Sequence, residues 1–127
     1  EKAKLMAQHW AVIQPSSIEG WGITVIEANA CGTPVIASNV AGLRDSVIDG
    51  TTGILVQPKN VLSFTSAMEK IIVNKALRKA LSRDAVTLAK AFKWEDKAYL
   101  FLKIIEREIE KAYSYRPFRR LIQAGAE

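Results

Sequence analysis

Two carboxylates and the glycine-bearing segment between them are the groups in this sequence best suited to chemistry. Glu19 and Glu27 lie eight residues apart, with Gly20 and Gly22 between them. A glycine lets a ligand approach the main chain closely, and a helix that starts here presents free N–H groups that favour a phosphate. A carboxylate one turn inside that helix, as Glu27 is, can accept two hydrogen bonds from a diol such as a ribose. Glu19, on the preceding loop, can reach the other end of an extended ligand.

Other site chemistries find few side chains to build on. Cys31 is the single cysteine and His9 the single histidine of the chain. One cysteine excludes an internal disulfide and a cysteine-based metal site, and one histidine excludes a histidine-rich metal site. A Ser-His-Asp triad would have to use His9, and no neighbouring residue supports one.

The elements that must position the two carboxylates alternate between short apolar runs and helical patterns. Strands are predicted at residues 10–14, 33–38 and 52–56, and residues 39–42 are predicted to be a turn. Helices are predicted at residues 1–9 (the end of one), 23–30, 43–47, 61–73, 75–91 and 94–113. Unbroken apolar strands favour an α/β fold with a parallel sheet covered on both faces. Ligands of such sheets bind beyond the carboxyl ends of the strands, which points to the loop at residues 15–22.

Four ordered sequence blocks resemble a known family. They are EGWGITVIEANACGTPVIA at residues 19–37, NVAGLRD at 39–45, DGTTGILV at 49–56 and FKWE at 92–95. Together they resemble the C-terminal, nucleotide-sugar-binding domain of the retaining glycosyltransferases with the GT-B fold (group 1, or family 4, type). The first block carries that family's pair of glutamates with seven residues between them, Glu19 and Glu27. The resemblance covers residues 5–110 and implies a partial Rossmann-like parallel sheet flanked by helices, followed by a helical tail.

The resemblance also implies roles for individual residues. Glu19 would be the catalytic residue, contacting the donor sugar's hydroxyls beside the reacting carbon, and Glu27 would hold the ribose. The donor sugar and phosphates would be bound by Gly20, Trp21, Gly22, Ile23 and Thr24. The donor would be a nucleoside diphosphate sugar, the acceptor a sugar, lipid or glycan, and neither a metal nor another cofactor is expected. Two residues depart from the family pattern, because Trp21 replaces a common Phe and Thr24 stands where Pro or Val is frequent.

Parts of the implied enzyme are not found in this sequence. The family places an Arg and a Lys on earlier strands, and its acceptor site in a separate N-terminal domain. We therefore expect residues 1–112 to be an N-terminally truncated donor-binding domain, residues 113–127 to be a basic and aromatic tail, and the isolated chain to be inactive. Two alternatives stay open: a non-catalytic nucleotide-sugar-binding or assembly module, and a fragment of a GT-B-like phosphorylase or epimerase.

Composition and charge bear on partners and location. With 127 residues, 49% of them hydrophobic and 24% charged, the chain has the composition of one globular domain rather than of a disordered segment. Residues 1–60 carry four basic and five acidic side chains, whereas residues 61–127 carry fourteen and eight. The basic half favours an anionic neighbour such as a lipid headgroup surface or a partner protein. For the tail at 113–127 three alternatives stay open: docking to the missing domain or another protein, docking to an anionic membrane surface, and a disordered terminus. No nucleic-acid-binding motif and no apolar run long enough to span a membrane are present. The expected location is the cytoplasm, with the cytoplasmic membrane face as the alternative.

Overall fold

The computed structural model describes residues 1–114, which divide into two units. The first unit is Glu1–Ala91, and the second begins at Phe92. The first holds three strands, β1 (Val12–Gln14), β2 (Val35–Ser38) and β3 (Gly53–Val56). It also holds five helices, α1 (Lys2–Gln8), α2 (Ile23–Ala30), α3 (Ala41–Ser46), α4 (Val61–Val73) and α5 (Lys75–Lys90). The second holds α6 (Trp94–Ser114).

The three strands form one parallel sheet in the order β1-β2-β3. Val35 of β2 lies opposite Val12 of β1 on one side and opposite Gly53 of β3 on the other. The prediction of an α/β fold with a parallel sheet is confirmed. Since the strands are parallel, their carboxyl ends meet at one edge of the sheet, where the loop at residues 15–22 begins.

Two apolar clusters cover the two faces of this sheet. Val35 and Ala37 of β2 are buried in one cluster, with Val25 of α2 and Leu43 of α3. Ile36, which points the opposite way, is buried in the other cluster. Its partners there come from β3, α4 and α5, and are Val56, Ala67, Ile71 and Leu81. Because every residue of β2 is buried, the strand shows no polar alternation.

The helix boundaries follow the predictions closely, with one correction at α3. Residues 39–42 were expected to form a turn, but α3 already begins at Ala41, so Gly42 is helical. Gly42 lies directly against the main chain of Glu19 and Gly20, where a side chain would not fit. Asn60 and Asn74 cap α4 and α5, each accepting a hydrogen bond from a main-chain N–H of the first turn, at 3.0 and 2.9 Å.

The helix of the second unit, α6, is amphipathic. Its apolar side chains recur at the helical period and are exposed in this structure; they include Trp94, Phe101, Leu102, Ile105 and Ile109. On its polar side the Lys111 ammonium, hydrogen-bonded to Glu108, holds the pKa of that carboxyl below its ordinary value, together with Arg107. No helix within residues 1–114 is long and apolar enough to span a bilayer.

The predicted domain boundary after residue 112 stays a prediction. The division of the chain into units falls earlier, between residues 91 and 92. Of the predicted tail at 113–127, residues 113 and 114 belong to α6 and residues 115–127 lie outside the described part of the chain.

Candidate functional site

The loop that leaves β1 carries Glu19, and three side chains fix its carboxylate. Gln14, the last residue of β1, donates a hydrogen bond from Nε2 to Oε2 of Glu19 at 3.1 Å. Ser16 donates from Oγ to the same oxygen at 3.3 Å, and it accepts from Gln14 Nε2 at 3.0 Å. All three side chains are partly buried. The carboxylate is therefore held at the carboxyl end of β1. That this loop binds a ligand stays a prediction.

Gly22 ends this loop and precedes the first residue of α2. Its φ angle is +73°, which an L-residue with a side chain rarely adopts. A Cβ at this position would lie 2.8 Å from Cδ2 of Leu43 and 3.2 Å from Oγ of Ser46, both on α3. A glycine at position 22 therefore allows both the left-handed turn and the close packing against α3. At Gly20, by contrast, a Cβ would meet no atom of the described residues within 4 Å. Of the two glycines, Gly20 is the one that leaves open space for a ligand.

Gly42 is a residue of the site that the sequence analysis did not identify. A Cβ on Gly42 would lie 2.2 Å from the carbonyl oxygen of Glu19 and 2.3 Å from that of Gly20. The second residue of α3 therefore packs directly against the main chain of the loop. The sequence carries no specific signal for this contact, because Gly42 ends the segment that was predicted to be a turn, where a glycine is common.

The start of α2 favours an anion. Its N-cap residue is Gly22, with no side-chain capping hydrogen bond, and no acidic residue lies in the first turn. The N–H of Val25 bonds to the carbonyl of Gly22 at 2.8 Å, whereas the N–H groups of Ile23 and Thr24 precede the first intrahelical bond. Ile23 is 63% exposed. The partial positive charge of the helix end is therefore not neutralised by a carboxylate of its own first turn.

Glu27 lies on the second turn of α2 and is paired with a residue that the sequence analysis did not single out. Lys2, at the start of α1, approaches its carboxylate with Nζ 2.5 Å from Oε2. Both side chains are well exposed. An exposed pair of this kind contributes only about 0–1 kcal/mol, so a ligand hydroxyl could replace the lysine at little cost.

The structure also locates the other polar and aromatic residues considered in the sequence. The ring of Trp21 is partly exposed beside the loop, and Thr24 is half-buried. His9 contacts the carbonyl oxygen of Leu5 through Nδ1 at 2.6 Å, just after α1. Cys31 is a half-buried free thiol at the end of α2. In the part of the chain that the structure describes, no group of three or more His, Cys, Asp or Glu side chains could hold a metal ion.

Comparison with known proteins identifies related enzymes. The family model described as "Glycosyl transferases group 1" matches residues 1–87. A D-inositol 3-phosphate glycosyltransferase from Paenarthrobacter aurescens is 39% identical over 92 residues, which are 72% of this chain and 22% of that protein. One from Actinosynnema mirum is 42% identical over 85 residues, 67% of this chain and 20% of that protein. The chain thus spans about a fifth of the length of these curated relatives.

Solved structures share the fold. A sucrose-phosphate synthase from Thermosynechococcus elongatus aligns with a TM-score of 0.80 and 32% identity, over 85% of this chain and 27% of that one. Anabaena HepE, solved in complex with UDP-glucose, aligns with a TM-score of 0.67 and 26% identity, over 69% and 24% of the two chains. The C-terminal domain of a group 1 glycosyl transferase from Francisella tularensis aligns at 0.59 and 26%, over 64% and 42%. The chain therefore belongs to the group 1 glycosyltransferases and corresponds to the C-terminal domain of a GT-B enzyme.

Proposed function

We propose that this chain is the donor-binding part of a retaining glycosyltransferase. Such an enzyme transfers a hexosyl group from a nucleoside diphosphate sugar to a sugar, lipid or glycan acceptor. The observation that carries the proposal is the placement of Glu19. Its carboxylate is fixed at the carboxyl end of β1, on the loop that leads into an α2 N-terminus free of its own capping side chain.

The chemistry of the donor matches the order of these groups along the chain. The N–H groups of Ile23 and Thr24 suit the diphosphate, because the helix end carries partial positive charge. When the bond between the anomeric carbon and the diphosphate oxygen breaks, negative charge grows on the leaving group, and the same helix end stabilises it. In this proposal Glu19, on the loop before α2, binds sugar hydroxyls, and Glu27, on α2, binds the ribose. HepE was solved with UDP-glucose, which supports a nucleotide sugar as the ligand class.

We expect the other half of the site to be formed by parts of the enzyme outside these residues. A separate N-terminal domain would bind the acceptor, and cationic side chains from additional strands would neutralise the diphosphate. For this reason the isolated 127-residue chain is expected to bind nucleotides weakly and to show no turnover. A transfer assay with UDP-, GDP- and ADP-hexoses that detected product from the chain alone would contradict the assignment of the missing half.

Donor binding can be tested with the chain itself by NMR titration of its main-chain amides. The ligands are UDP-glucose, GDP-mannose and ADP-glucose, because the base and the sugar are not defined by the described residues. One of them should shift the amides of Gly20 to Thr24 in a saturable way. The Glu27→Ala change should weaken that binding at least about tenfold, since a ribose loses hydrogen bonds to a charged acceptor.

The matched control is Glu69→Ala, which removes an exposed carboxylate from α4 and should leave the affinity unchanged. Equal affinities for all three proteins would refute the ribose role of Glu27. They would favour the alternative of a non-catalytic nucleotide-sugar-binding or assembly module.

A further inference from the structure

The hydrogen-bond triangle around Glu19 assigns a role to a residue outside the glycine-bearing segment. Resting on the function proposed above, we propose that Gln14 is a positioning residue that turns the Glu19 carboxylate toward the donor sugar. Gln14 acts through Glu19 and does not itself contact the donor.

Two side chains hold one oxygen of the Glu19 carboxylate. Gln14 Nε2 and Ser16 Oγ both donate to Oε2, at 3.1 and 3.3 Å. A carboxylate whose oxygen accepts from two donors of fixed position has a defined orientation.

The position of Gln14 makes this orientation rigid. Gln14 is paired in register with Ala37 of β2, so the strand fixes its main chain. It follows Val12 by two residues and therefore lies on the same face of the sheet, where Val12 packs beside α2 and α3. Its side-chain amide carries two N–H groups, which match the two acceptors Ser16 Oγ and Glu19 Oε2. A glutamate here would offer no donors and would place two like charges together.

The effect of Gln14 should be confined to the sugar end of the ligand. Glu19 lies on the loop before Gly22, whereas Glu27 and the main-chain N–H groups proposed to bind the phosphates belong to α2, after Gly22. Loss of the Gln14 contact should therefore weaken the binding of a nucleotide sugar and spare the binding of the matching nucleoside diphosphate. A general loss of structure would weaken both.

The experiment compares dissociation constants by NMR titration for UDP-glucose, GDP-mannose and ADP-glucose, and for UDP, GDP and ADP. The test variant is Gln14→Met, which keeps the length of the side chain and removes its two N–H donors. Its Kd for the nucleotide sugar that binds should rise about tenfold, while the Kd for the sugar-free nucleotide should change less than about twofold. Gln57→Met, the same change just after β3, should alter neither constant.

A double-mutant cycle with Glu19→Ala completes the test. Gln14→Met should have no further effect once Glu19 is removed, because it acts only through that carboxylate. If Glu19→Ala weakens sugar-nucleotide binding and Gln14→Met does not, or if Gln14→Met weakens both ligands equally, the positioning role is overturned and the proposed function stands. If no nucleotide or nucleotide sugar binds, or if Glu19→Ala has no effect on sugar-nucleotide binding, the donor role assigned to this site fails and the role of Gln14 with it.

Discussion

Replacing Gly42 by alanine should displace the loop that carries Glu19. The added Cβ would lie 2.2 Å from the Glu19 carbonyl oxygen and 2.5 Å from the Gly20 carbonyl carbon. An ordinary carbon–oxygen contact is about 3.3 Å or longer, so the loop and α3 must separate by about 1 Å. Both partners are main chain, and neither can relieve the clash by changing a side-chain rotamer.

The displacement should affect binding more than stability. Overpacking of this kind costs about 1–3 kcal/mol, and the better helix propensity of alanine returns about 1 kcal/mol. A net loss of about 0–2 kcal/mol leaves room for a folded protein. A shift of about 1 Å, however, would misplace the Glu19 carboxylate relative to the donor, and the loss of its hydrogen bonds to the sugar should weaken donor binding about tenfold.

Urea unfolding measures the first effect and NMR titration with a nucleotide sugar measures the second. Gly20→Ala is the matched control for stability, since a Cβ there meets no described atom within 4 Å. It should leave the urea midpoint unchanged. If Gly42→Ala unfolds at the same urea concentration as the wild type and binds the donor equally well, α3 does not support the loop as described.

Three further substitutions test separate features of the same unit. Gly22→Ala should lower the free energy of unfolding by about 1–3 kcal/mol, because its φ is +73° and its Cβ would crowd Leu43; a urea midpoint equal to that of the wild type would count against this. Asn29 is fully buried in α2 with both side-chain polar atoms unpartnered among the described residues, so Asn29→Leu should raise stability by about 1–2 kcal/mol, and a lower melting temperature would show that the amide has a partner. Lys2→Ala should cost under about 1 kcal/mol, and less in high salt, because its pair with Glu27 is exposed; a loss above 2 kcal/mol in thermal unfolding would contradict this.

The strands could be predicted because their signal is local. Val35, Ile36 and Ala37 are consecutive apolar residues buried on both faces, which is the pattern of a central parallel strand. Pro15 ends the run that becomes β1, and Gly32 follows α2 with a φ of +75°, as expected for a glycine that ends a helix. Each of these features depends on residues close together in sequence.

The supports of the candidate site could not be predicted because they join distant residues. Gly42 meets the main chain of Glu19 only once the chain between them, which forms α2 and β2, has folded. Lys2 and Glu27 are 25 residues apart and meet through the packing of α1 beside α2. Gln14 is close to Glu19 in sequence, but its side chain could be assigned to the α2 and α3 face only once the register of β1 with β2 was known.

The contrast among three glycines has a practical consequence for redesign of donor selectivity. Gly22 and Gly42 are closed to larger amino acids by the surrounding atoms, so libraries that vary them will yield mostly misfolded protein. Gly20 has no such barrier, and its backbone is not left-handed. Saturation mutagenesis at this single codon would therefore change the surface of the loop beside Glu19 while the sheet and helices behind it stay intact.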